Sequence, residues 1–147
     1  MEIRAKLPAV WGYWLGFWLA TSDHSWPPEL DAMESNGGTP HTITMTIHYP
    51  NGTSSGGQDS SDYYDPNVDF TNGYHTFGLD WEPNAITWYI DGVARKTFTN
   101  TSDIPNIPMN VMANLAINGN SGWAPTSSTV FPGHMYIDYI RVWLSGP

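Results

Sequence analysis

The sequence predicts an all-β domain, an antiparallel β-sandwich, on three observations. Short segments with period-two alternation recur along the chain, and each is bounded by turn residues. Fourteen glycines and 12 prolines in 147 residues supply those turns. No stretch has a helical period, and no internal repeat is present. The length suits one domain, 1–147, with a real core and leaves little room for a second.

Met1 to Leu7 alternates, with Glu2, Arg4 and Lys6 on one side and Ile3, Ala5 and Leu7 on the other. Arg4 and Lys6 ahead of the apolar run to Ala20 superficially suggest a secretory leader. The alternation assigns this segment to a strand instead. Trp14 to Ala20 is a nearly all-apolar second strand, expected to face a core on one side and an aromatic cleft on the other. Thr21 to Pro28 is a loop, because Pro27 and Pro28 cannot donate ladder bonds. Glu29 to Ser35 is a third strand, stopped by Asn36-Gly37-Gly38. His41 to Tyr49 puts Thr42, Thr44, Thr46 and His48 on one face, and its expected antiparallel neighbour is the Glu29 strand. Residues 51–72 are Gly-, Ser-, Asp- and Asn-rich and are assigned to a surface loop. Tyr74 to Trp81, Ala85 to Ile90 and Val93 to Phe98 are strands, the last two joined by an Asp91-Gly92 hairpin turn. Met109 to Ile117 is a buried strand, Asn118 to Thr129 a polar loop, and His134 to Leu144 the closing strand. Trp81, Trp88 and Trp143 are assigned to the core.

Composition excludes several partners. A formal net charge of −9 with only five Lys and Arg disfavours nucleic acid, anionic membrane surfaces and sulfated glycans. No cysteine is present, so disulfides and thiolate chemistry are absent. The five histidines lack zinc-site spacing, and no apolar run is long enough to span a bilayer.

The chemistry concentrates in Glu29-Leu30-Asp31-Ala32-Met33-Glu34, three carboxylates within six residues. Strand parity points Glu29 and Asp31 the same way and Glu34 the opposite way. A β-bulge at Ala32-Met33 would restore Glu34 to their face. Two carboxylates on one surface beside aromatic rings are what glycosidic bond cleavage requires. The alternative is an acidic, solvated strand leading into a turn.

Several segments, in order, resemble glycoside hydrolase family 16. Glu29 to Glu34 resembles its E-x-D-x-x-E signature, in the bulged form of laminarinases rather than the unbulged form of lichenases. Ile3 to Pro8 is similar to the family's strand before the cleft, and Gly12 to Ala20 to its Gly-x-Trp-Pro-Ala-x-Trp segment. His75 to Gly92, Asn114 to Ala116 and Phe131 to Val142 are similar to later family strands. Leu15-Gly16, Pro28 and Asn118 depart from the pattern without removing a reacting group.

The resemblance implies a concanavalin A-like β-jelly roll whose concave sheet binds β-glucan, with the family's opening strands missing. Bare strand edges and self-association through them are therefore expected. It implies an endo-acting retaining hydrolase of β-1,3 or mixed 1,3/1,4 glucan, with Glu29 as nucleophile and Glu34 as acid/base. Asp31 would hydrogen-bond Glu29 and help to keep Glu34 protonated. Retention asks the two carboxyls to approach to about 5 to 5.5 Å. Trp18, Trp26, His48, Asn114 and Trp123 match substrate-binding positions; core packing for Trp18, a structural role for His48 and a loop anchor for Trp123 stay open. No cofactor is required. A structural calcium is implied at Asp138, although its other ligands in relatives come from the absent strands. The resemblance also implies an extracellular or periplasmic location. Alternatives are a non-catalytic carbohydrate-binding jelly roll, or an exopolysaccharide depolymerase or transglycosylase using the same residues.

Overall fold

The computed structural model describes residues 1–117 and 124–144. Among them ten strands form: β1 (Glu2–Lys6), β2 (Tyr13–Thr21), β3 (Glu29–Asn36), β4 (Thr42–Tyr49), β5 (Gly57–Tyr64), β6 (His75–Glu82), β7 (Ala85–Ile90), β8 (Val93–Phe98), β9 (Met109–Ile117) and β10 (Tyr136–Arg141). They make two antiparallel five-stranded sheets, ordered β10-β1-β6-β7-β8 and β5-β4-β3-β2-β9. Alternation is the cause: Ile3 and Ala5, Leu15 and Phe17, and Ile43, Met45 and Ile47 all turn inward and are at most 1% exposed. Phe17, Phe77 and Trp88 fill the space between the sheets; burying a side chain of the size of Phe17 contributes about 1.5–3 kcal/mol. Asp91 and Gly92 adopt φ of 51° and 74°, the paired positive values of the tight turn that the sequence predicts between β7 and β8.

Four expectations are corrected. Met109–Ile117 is a strand, but an exposed to half-buried edge rather than a buried one. Residues 51–72 are not all loop, because β5 pairs with β4 along its whole length. Its residues are nearly all exposed, so backbone bonding holds it and no apolar face announces it. Trp143 is 58% exposed rather than in the core, whereas Trp88 is fully buried and Trp81 packs against the core's margin. The closing strand is also shorter, six residues of β10.

At the β9 and β10 flank the sandwich stands open. Among the described residues neither strand has an outer neighbour. A cavity of about 620 Å³ opens there between the sheets, lined by Leu19, Met109, Val111, Leu79, Val142 and Trp143 among others.

Candidate active site

The bulge forms where the sequence demands it. Against β4, Asp31 pairs with Thr46 and Glu34 with Thr44, so the two intervening β3 residues oppose one on β4. Against β2, Met33 faces Phe17 and Asp31 faces Trp18, leaving Ala32 as the extra residue. Ala32 and Met33 are consequently both buried in the core, and Glu34 returns to the side of Glu29 and Asp31. Trp88, reaching across from β7, donates its indole N–H to the Asp31 carbonyl at 2.7 Å and so holds the bulged backbone from beneath.

Each carboxylate has its own neighbours. Glu29 lies opposite His48, whose Nε2 is 3.6 Å from Glu29 Oε1 and 3.4 Å from Asp31 Oδ2. The Trp26 ring, 47% exposed, packs 5.5 Å from the His48 ring. Glu34 Oε1 accepts a 2.9 Å hydrogen bond from the Trp14 indole. Glu34 also lines a groove-like cavity of about 390 Å³ with Trp14, Asn36, Thr42, Thr44 and Asp62. Trp18 donates to Asn114 Oδ1 at 2.8 Å and so spans β2 and β9. Gly16 lies between Trp14 and Trp18, where a Cβ would come within 3.1 Å of the Trp18 ring and 3.0 Å of Asn114 Oδ1. That close approach explains a glycine at this position.

Burial dominates the electrostatics. It pushes the Glu29 carboxyl up to about 7, reinforced by the Asp31 charge and opposed by His48. It likewise pushes Glu34 up to about 7, again with the Asp31 charge next in weight and the Trp14 hydrogen bond opposing. Asp31, more deeply buried than either, is raised too, with His48 opposing. His48 is raised chiefly by its contact with Asp31. Glu29 and Glu34 are thus poised near neutrality, with a cation-capable ring beside Glu29 and a neutral donor beside Glu34.

The sequence matches the family model "Glycosyl hydrolases family 16" over residues 1–141. The chain belongs to glycosyl hydrolase family 16. Endo-1,3-1,4-beta-glycanase EglC of Rhizobium meliloti is 35% identical over 142 residues, 97% of this chain and 29% of that protein. Glucan endo-1,3-beta-glucosidase A1 of Niallia circulans is 34% identical, over 97% of this chain and 24% of that protein. This chain therefore spans less than a third of the length of either relative. The laminarinase catalytic domain of Thermotoga maritima superposes with a TM-score of 0.81 at 29% identity, covering 93% of this chain and 60% of that one. Endo-beta-1,3-glucanase of Pyrococcus furiosus gives 0.79 at 33% identity, covering 93% and 57%. The jelly-roll fold expected from the family resemblance is thereby shown.

Within this family-16 domain, Glu29, Asp31, Glu34, His48 and Trp26 come together, and Trp18 with Asn114 borders them on the β9 side. Trp123 lies outside the described residues, as does Asn118. Asp138 sits apart on β10, where its Oδ2 accepts a 2.5 Å charge-assisted bond from Arg4. Among the described residues no cluster of three metal-ligating side chains includes it.

Two residues escaped the sequence reading. Trp14 shares strand parity with Trp18, the signal that would have placed it in the groove. Lys96 reaches from β8 to the Met45 and Asp59 carbonyls at 3.1 and 2.7 Å and to the Asp59 carboxylate at 2.6 Å. It thereby ties β4 and β5 to the opposite sheet, and nothing in its local pattern announces that.

Proposed function

We propose that the chain acts as an endo-acting retaining hydrolase of β-1,3 or mixed 1,3/1,4 glucan. The observation that carries this reading is the bulge, which sets Glu34 on the groove face with Glu29 and Asp31. In the first step a Glu29 oxygen attacks the anomeric carbon as the glycosidic bond breaks, and Glu34 gives its proton to the leaving oxygen. In the second step Glu34 takes a proton from water, the water oxygen bonds to the anomeric carbon, and Glu29 leaves. Burial and the Asp31 charge push both Glu29 and Glu34 up to about 7, so each can hold or release a proton near neutral pH, with His48 drawing Glu29 back toward its ionised form. Exposed Trp14 and Trp26 offer flat apolar faces to sugar rings along the groove. The named glucanase relatives support the substrate class. The chemistry asks for no cofactor.

The same reading includes an extracellular or periplasmic site of action, since a polysaccharide is too large to cross a membrane unaided. It also includes self-association across the β9 and β10 edges, supported by the exposure of Val111, Ile137, Ile140 and Val142.

The test is reducing-sugar release from laminarin and lichenan, with agarose and xyloglucan as controls. Glu29→Gln is expected to fall to background and Glu34→Gln to lose about 10²- to 10⁴-fold in kcat. Wild-type activity in either variant would overturn the assignment. Anomeric inversion of the product would exclude the double displacement.

A further inference from the structure

Glu29, Asp31 and His48 present ligand atoms that all lie within 4.8 Å of one another. The histidine Nε2 stands 3.4 Å from Asp31 Oδ2 and 3.6 Å from Glu29 Oε1. A tetrahedral ion with bonds of about 2.0 to 2.2 Å holds its ligands roughly 3.3 to 3.6 Å apart. Both separations from His48 fall in that range, and the Glu29 and Asp31 oxygens lie within 4.8 Å of each other.

Asp31 adds an independent observation. The residue is only 3% exposed, yet its Oδ2 has no hydrogen-bond partner. The contact with His48 therefore has the distance of an ion-pair neighbour without the geometry of a hydrogen bond. A buried carboxylate oxygen in that condition has a lone pair available to a cation.

We propose that Glu29, Asp31 and His48 form a binding site for a divalent first-row transition ion, with Zn²⁺ as its representative. An imidazole with two carboxylates suits zinc and its neighbours better than the all-oxygen, six- to eight-ligand shell that calcium takes. Three protein ligands leave a fourth position open to water from the groove. Glu34 stands outside this ligand set. Packing of the Trp26 ring against His48 limits where the imidazole can turn and so helps to hold it in the liganding orientation.

One consequence rests on the hydrolase reading. A Glu29 oxygen bonded to an ion cannot attack an anomeric carbon, so ion and glucan compete and the ion inhibits. Binding itself does not depend on that reading.

The experiment titrates Co²⁺, followed by its visible d–d absorption, and Zn²⁺, followed by calorimetry, into metal-free protein. The expected result is one saturable site per chain, weakened at least about tenfold (~1.4 kcal/mol) by Asp31→Asn and by His48→Gln. His134→Gln, at an exposed histidine outside the site, should leave the affinity unchanged. Near-UV circular dichroism checks that each variant folds, and His48→Gln carries the test if the buried Asp31→Asn does not. No saturable uptake up to about 1 mM ion, or uptake that survives His48→Gln, overturns the proposal. Because the readout is binding, an inactive chain leaves the result interpretable. Conversely, failure to bind metal leaves the Glu29→Gln activity test untouched.

Discussion

The centre of the groove sheet and the flank of the sandwich are both built of alternating aliphatic and aromatic residues, yet they end differently. In β2, β3 and β4 the inward residues Leu15, Phe17, Leu30, Met33 and Ile47 are fully buried. On β9 and β10 Val111, Ile117, Ile137 and Ile140 are 38% to 58% exposed. Alternation determines which way a side chain points, but burial depends on what lies opposite. At the centre the second sheet lies opposite; at the flank Val111 borders the 620 Å³ opening instead. The three acidic groups sit on the fully covered half, where packing can hold a bulge that would otherwise slip.

The largest way to break this contrast is to delete Ala32. The deletion removes the extra residue of the bulge, so Glu34 turns toward the core or the register slips. Glucan hydrolysis is expected to fall to background with a sharp drop in Tm; deleting Ser54, in the exposed connection before β5, should change neither. Product assays and thermal melts check both variants. Next in size is a matched pair of truncations. Phe17→Ala should cost about 3–5 kcal/mol in denaturant unfolding, as a cavity in a closed core does. Ile140→Ala should cost about 1 kcal/mol or less. Similar losses from the two would mean that the flank is covered in solution.

The smallest effect is a pH dependence of stability. Glu29 and Glu34 move from ordinary values near 4.5 to about 7 on folding, and His48 is raised as well. Between those limits the folded chain holds protons that the unfolded chain has released. Stability from these groups is therefore present on the acid side and is lost as pH rises through about 7. Tm should be higher at pH 5 than at pH 8, and a Glu29→Gln, Glu34→Gln double variant should flatten the slope. A wild-type Tm that rises over this interval would contradict the burial assigned to the two carboxyls.

The legible parts of the molecule were those with a local physical signature. Turn chemistry at Asp91-Gly92 and alternation in β1, β4 and β7 leave little choice of element. The bulge was legible for a chemical reason, since the three acids within Glu29–Glu34 serve one surface only if parity is broken. Antiparallel pairing of His41–Tyr49 with the acidic strand was enough to bring His48 to Glu29. Elsewhere the signal was not local. β5 has no buried face, so its sequence looks like loop. Trp143 lies in a well-alternating segment that nothing described covers. Lys96 spends its charge on carbonyls more than thirty residues away in sequence, a long-range contact that no window of sequence contains.

The Trp88 hydrogen bond to the Asp31 carbonyl ties the proposed reaction centre to the gap between the sheets. Modest swelling of the interior, by warming, solvent or a poorly fitting neighbour of Trp88, would loosen that anchor while most strands remain paired. Catalysis should then fade several degrees below the melting transition, making enzymatic output a finer gauge of interior tightness than spectroscopy.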